Sequence, residues 1–180
     1  MTLILNHYFT LIDKSFPQKE ELLKQGFKLH GPKYHKGQGT SAVFVLFPKK
    51  YFEYIWIDDL EASKTNLLQL YKRDSKNACK YGLCFTGTIP DKHIRDFVQY
   101  VPPYSPNSQI MVLKESIDDL TMPLIFVDIK SKDPKASEPQ NSKNLSADLL
   151  NPQEHFFIPE DLKSYKIPEY FKFLFKTVDP

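Results

Sequence analysis

The sequence has two cysteines, Cys79 and Cys84, too few for a disulfide scaffold. It has 6 glycines against 14 prolines, and one tryptophan. Neither sign of charge dominates: 24 Lys+Arg face 22 Asp+Glu in 180 residues, a formal net charge of +2. So small a surplus gives no reason to expect a nucleic-acid footprint. No apolar run reaches membrane length, and the start MTLILNHYF lacks the basic n-region and long h-region of an export signal. The expectation is a reduced cytoplasmic protein with no nucleic-acid or membrane partner. What the chain does have is aromatics, 14 Phe and 10 Tyr, with 41% hydrophobic residues overall. That composition excludes wholesale disorder and suits short strands around an aromatic-lined cavity.

Leu3, Leu5, His7, Phe9 and Leu11 alternate along Leu3–Asp13 and predict a strand with those five on one side. Ser15, with Gln18 three residues on and Gly26 as a stop, predicts a short helix. Phe27–His30 reads as a brief strand, and GPKYHKGQGT as a loop. Ser41–Phe47 and Tyr51–Asp58 are strands joined by Pro48-Lys49-Lys50, short enough for an antiparallel hairpin. Asp59–Tyr71 is helical in pattern, and Tyr81–Thr88 strand-like. Pro90-Asp91 opens a helix with an apolar stripe of Ile94, Phe97, Val98 and Val101. Gln109–Lys114 and Pro123–Lys130 are two more strands. The element order of the first third thus recurs in the middle third, an internal structural repeat. Residues 131–150 are rich in Lys, Ser, Pro and Asn and read as a solvated linker. Residues 151–180 are again dense in aromatics, and predict an extension docked on the domain or on a second copy in a homodimer.

Glu53 carries the most chemical information. Its strand has no polar face: Tyr51, Ile55 and Ile57 lie on its side, and Phe52, Tyr54 and Trp56 on the other. A carboxylate set among apolar residues needs a metal, a hydrogen-bonded proton or a cation to compensate it. His7, between Leu5 and Phe9, is equally out of place. A His on one strand and a Glu on another have metal-ligand chemistry if the fold brings them together. His30 and His93 read as solvent-exposed, and His155 opens the aromatic tail.

His7, Gly26-Phe27, His35 with Gly37, Gly39 and Thr40, and Tyr51-Phe52-Glu53-Tyr54-Ile55 stand in the order of a glyoxalase-like domain. The chain resembles the vicinal oxygen chelate superfamily over roughly its first sixty residues. The resemblance implies an α+β fold of paired βαβββ modules, module one over 1–60 and module two over 78–130, within a domain of 1–130. It implies a cleft for a small oxygen-rich organic molecule, with a divalent metal assisting isomerase, lyase or dioxygenase-type chemistry. His7 and Glu53 match the ligand positions of module one, and serve as a base–acid pair if no metal binds. Module two matches less well: Leu83, Cys84 or Phe85 falls near one ligand position, and Asp128 is the sole acidic candidate for the other. His35, Trp56 and Asp128 are the expected ligand contacts. The rival reading is a metal-free binding or sequestration protein with aromatic walls.

Overall fold

The computed structural model describes residues 3–129, 148, 150–152, 156–168 and 171. Module one comprises β1 (Ile4–Leu11), α1 (Lys19–Lys24), β2 (Leu29–His35), β3 (Thr40–Leu46) and β4 (Tyr51–Ile57). A short helix, α2 (Leu60–Thr65), and a 3-10 turn at Leu70–Asp74 lead to module two. That module comprises β5 (Tyr81–Thr86), a 3-10 turn at Asp91–Asp96, β6 (Phe97–Tyr100), β7 (Ile110–Leu113), α3 (Lys114–Asp118) and β8 (Leu124–Asp128). The strands make one 8-stranded sheet in the order β2-β3-β4-β1-β5-β8-β7-β6.

The order is symmetric about its centre. In each half the first strand pairs in parallel with the last, β1 with β4 and β5 with β8. The halves join where β1 and β5 run antiparallel, with His7 opposite Cys84 and Phe9 opposite Gly82. A Cβ at position 82 would sit 2.1 Å from the Phe9 ring, so glycine lets that ring cross the junction.

The sheet buries both faces. One carries Phe9, Leu11, Ala42, Ile55, Val112 and Leu124. The other carries Leu5, Tyr8, Phe52, Leu83 and Phe85. Over module one the second face is covered by Leu22 of α1 and by Phe27. Over module two it is covered from the chain's end: Leu162 and Phe171 are fully buried in the same cluster. Phe171 lies against Phe85 and Phe97, and Tyr81 donates its hydroxyl hydrogen to Asp161. Asn151 ties the approach to this segment to module one. Its Oδ1 accepts from Lys28 N, and its Nδ2 donates to Lys28 O and Leu46 O. His155, Tyr170, Phe173, Leu174 and Phe175 lie outside the described residues.

Several sequence expectations are corrected. The alternation of Leu3 to Leu11 breaks at a register shift between Leu5 and His7. Leu3 and Leu5 therefore join the face of Tyr8, while Phe9 and Leu11 take the other. A bulge adds one residue and re-aims the side chains beyond it. The helix expected from Asp91 is a 3-10 turn that ends at Asp96, and Phe97–Tyr100 is strand β6. Pairing Phe97 with Leu113 and Val98 with Val112 satisfies the backbone at the sheet, which outweighs the helical spacing. Strand β2 also runs through the expected loop to His35, with its own register shift between His30 and Lys33. The helix expected over 59–71 ends at Thr65, and Leu60 and Leu67 are exposed.

Arg73 is marked by no pattern in the sequence. It is fully buried and donates to the carbonyls of Cys79 and Met122 at 3.0 and 2.8 Å, and to that of Ser116. Burial lowers its pKa, and three carbonyls stand where an acid would be expected. The contacts gather the lead-in to β5, helix α3 and the lead-in to β8.

Candidate functional site

The bulge in β1 turns His7 onto the cleft side of the sheet. There its neighbour Asn6 holds the ring, Oδ1 to Nδ1 at 2.8 Å. With Nδ1–H donating to that oxygen, Nε2 is an acceptor. Nε2 faces the Tyr51 hydroxyl at 3.3 Å and Glu53 Oε1 at 3.7 Å. The rings of His7 and Tyr51 are stacked, 4.1 Å apart and 16° from coplanar. Phe126 closes against the imidazole edge-on at 5.8 Å.

Glu53 reaches the same point from β4, where it lies opposite Phe9 in register. His7 and Glu53 are 9% and 8% exposed. Burial lowers the His7 pKa to about 3. Burial raises that of Glu53 to about 8, with the charge of Lys33 working weakly the other way. Both shifts favour the neutral form, so at neutral pH the two groups face each other as imidazole and carboxylic acid rather than as an ion pair.

They line a cavity of about 110 Å³. Its walls are Phe9, Ile55, Leu70, Val112 and Phe126, and no lysine or arginine lines it among the described residues. Cys84 and Asp128 line it as well. Their placement follows from the symmetry of the sheet. His7 pairs with Tyr51 and Cys84 with Phe126; two residues further along the last strands come Glu53 and Asp128. The four therefore occupy equivalent positions in the two modules. Burial holds the Cys84 thiol far above its ordinary range.

The far end of the cavity is built by the HKGQGT segment. His35 is buried, its Nδ1 3.1 Å from Thr40 Oγ1, its ring stacked 4.4 Å from Tyr104. Burial lowers its pKa to about 4. Gln38 Nε2 donates to the same Thr40 hydroxyl, and Gln38 Oε1 accepts from Tyr100 OH at 3.1 Å. Asn66 Nδ2 donates to Tyr100 OH and to Gly37 O, joining module one's turn to β6 of module two. Gly39 has a φ of +76°, and a Cβ there would lie 2.2 Å from Asp59 O, so only glycine makes this turn. His35 thus both fixes the turn and lines the cavity.

Trp56 is corrected. It lies on the other face of β4, with Phe52 in the opposite cluster, and does not line the cleft. Alternation from Glu53 already places it there. Sequence reasoning missed Tyr51, Gln38 and Tyr104 as lining or positioning groups. Tyr51 is readable from its two-residue spacing to Glu53; Tyr104, in a loop from the other module, left no signal.

His7 and Glu53 give two adjacent donors toward the metal that the resemblance implies. Among the described residues, no three His, Cys, Asp or Glu side chains converge to hold an ion. Nε2 of His7 is already turned to the Tyr51 hydroxyl and to Glu53. The donor set does not fit a divalent centre.

No protein-family model and no curated protein matches the chain. Solved structures do. A hypothetical protein from Bacillus halodurans superposes with a TM-score of 0.50 at 12% identity, covering 73% of this chain and 97% of that one. The two share a fold, which here is the eight-stranded sheet of two like-ordered modules. A hypothetical protein from Staphylococcus aureus is similar at TM-score 0.48 and 14% identity, over 78% of this chain and 65% of its own. Methylmalonyl-CoA epimerase from Mycobacterium tuberculosis is similar at 0.46 and 15%, over 71% and 87%. At these identities the likeness is one of fold. Among the described residues, no helix is long and apolar enough to cross a membrane.

Proposed function

We propose that the cleft binds a small organic molecule with a neutral oxygen function, and that Glu53 and His7 move a proton on it without a metal. The observation that carries this reading is Glu53 and His7 set 3.7 Å apart and buried together on the cavity wall, where burial favours the neutral form of each. A carboxyl with a pKa near 8 has both forms present at neutral pH, which suits a group that takes and returns a proton. As the acid it donates a hydrogen bond to a bound carbonyl or hydroxyl oxygen. As the carboxylate it removes a proton from the carbon beside that oxygen. His7, its tautomer held by Asn6, supplies the acceptor Nε2 beside it. Apolar walls keep water from competing for that proton. The volume suits a compact ligand: an engineered cavity of about 150 Å³ takes benzene.

The experiment screens compact ketones, aldehydes and hydroxy-ketones by thermal shift, then follows exchange of the carbon-bound proton by NMR in heavy water. The expected result is exchange that Glu53→Gln abolishes while binding persists. Binding with no exchange in the wild type favours the second reading, a sequestering binder, for which the aromatic walls are the supporting observation. Elemental analysis of protein purified without chelator closes the remaining route. Stoichiometric metal in the wild type, lost in His7→Ala and Glu53→Gln, would overturn the metal-free chemistry.

A further inference from the structure

His35 lines the same cavity as Glu53 and His7, and its second ring nitrogen is unused. The ring is 4% exposed, with Nδ1 held by Thr40 and one face stacked on Tyr104. Nε2 has no hydrogen-bond partner among the described residues. Nor is it sealed: among the side-chain nitrogens and oxygens described, only Trp56 Nε1 is both unbonded and closed to solvent. The space open to His35 is the cavity it lines.

A directed chain of hydrogen bonds fixes what Nε2 offers. It starts at Asn66, whose amide cannot be turned round: Oδ1 accepts from Leu68 N at 3.0 Å, and Nδ2 donates to Gly37 O at 3.2 Å. Nδ2 also donates to the Tyr100 hydroxyl, which passes its own hydrogen to Gln38 Oε1. That leaves Gln38 Nε2 to donate to Thr40 Oγ1 at 2.9 Å. Thr40 is fully buried, and its hydroxyl hydrogen has one acceptor among the described residues, His35 Nδ1 at 3.1 Å. The opposite tautomer would strand that hydrogen unbonded in the interior, which is costly. The proton of the neutral ring therefore sits on Nε2. His7 is the reverse, with its proton on Nδ1 toward Asn6 and a bare Nε2. The cleft presents one acceptor imidazole and one donor imidazole.

The two meet different parts of a ligand. His35 pairs with Thr40, and Thr40 with Ile57, four residues past Glu53 on β4. At about 3.3 Å per residue, that is roughly 13 Å of strand.

We infer that His35 sets ligand specificity: given that Glu53 and His7 hold the reacting oxygen as proposed for the cleft, the His35 Nε2–H donates to a second, remote oxygen of the same molecule. That oxygen is a carbonyl or an ether. A methylene in its place leaves a buried donor unmet. An ionised carboxylate there has no counter-charge, because no lysine or arginine lines the cavity among the described residues. The ligand class is a compact neutral molecule with two separated oxygen functions.

The test uses the intact chain with nitrogen-15 at histidine. Imidazole nitrogen shifts separate a protonated nitrogen from a bare one. The expected result is Nε2–H at His35 and Nδ1–H at His7. Cyclohexane-1,4-dione and its isostere 4-methylenecyclohexanone, which keeps one carbonyl, are then titrated by NMR. The dione binds at least about tenfold tighter. His35→Phe keeps an aromatic ring against Tyr104 and loses the N–H, and brings that ratio to about one. Thr40→Val removes the hydroxyl behind Nδ1, shifts the His35 signals toward a mixture of tautomers and lowers the ratio. A purely structural loss would weaken both ketones alike and leave the tautomer in place. An Nδ1–H tautomer at His35, equal affinity for the two ketones, no binding of the dione, or an undiminished preference in His35→Phe overturns the assignment. Should neither variant fold, the wild-type tautomer and ratio decide. Failure of the proton-transfer reading looks different: the dione is preferred, and no carbon-bound proton exchanges on either ketone.

Discussion

The matching positions on the inner strands of module one carry His7 and Glu53, and those of module two carry Cys84 and Asp128. The backbone plan is the same in both halves, and the chemistry is not. Module one presents a nitrogen acceptor and a carboxyl that face each other. Module two presents a thiol held protonated by burial and an acid at the cavity wall. The outer faces differ too. Module one is roofed by a helix a few residues downstream of its first strand. Module two has only a 3-10 turn there, and a segment from near the chain's end covers it instead. A shared strand order therefore fixes where side chains converge, while local residues decide what they do.

The roofs offer the largest test of this comparison. Leu22→Ala in α1 and Leu162→Ala in the terminal segment should each cost about 2–5 kcal/mol by urea unfolding, since both side chains are buried in one core. A negligible effect for Leu162→Ala would break the equivalence of the two roofs. Asn151→Ala, which strips module one of the bonds to Lys28 and Leu46, should cost about 1–3 kcal/mol in the same assay.

Next in size is the pH profile, which belongs to module one. The Glu53 pKa rises from 4.5 to about 8 on folding, so the folded chain holds the extra proton and stability falls as pH rises through that window. The His7 and His35 pKa values fall from 6.5 to about 3 and about 4, so their contribution is present above 6.5 and is lost as pH drops. Together they set a maximum near pH 6.5. Above it the wild type should lose stability by up to about 1.4 kcal/mol per pH unit, and Glu53→Gln should remove that slope in thermal melts. The smallest effect contrasts the inner positions for a cleft ligand. His7→Ala should weaken binding about tenfold, and Asp128→Asn less than about threefold, by calorimetry. Equal effects would make the two modules chemically equivalent after all.

Much of module one is legible in the sequence. Along strand Tyr51–Ile57 successive side chains turn to opposite faces, which puts Glu53 with Ile55 and turns Trp56 away, and a carboxyl on an apolar strand identifies itself. The HKGQGT turn is legible because Gly37 and Gly39 both take a positive φ, which favours glycine. Module two is harder to read. Phe97–Tyr100 is too short to separate a strand from a helical stripe by spacing, and pairing with β7 decides it. Nothing local marks Arg73, whose acceptors Cys79, Ser116 and Met122 come from separate stretches of chain.

The sequence by itself determined the strand inventory of module one, the α+β class and the two side chains that do not belong on apolar strands. Those come from period-two patterning and desolvation, which act over a few residues. Only the tertiary structure brought Nε2 of His7 to 3.7 Å from Glu53. It did so through a bulge that reverses the faces of β1 and a parallel pairing of strands more than forty residues apart. Non-local pairing also set Cys84 and Asp128 opposite them, and left the Trp56 donor without an acceptor on the other face.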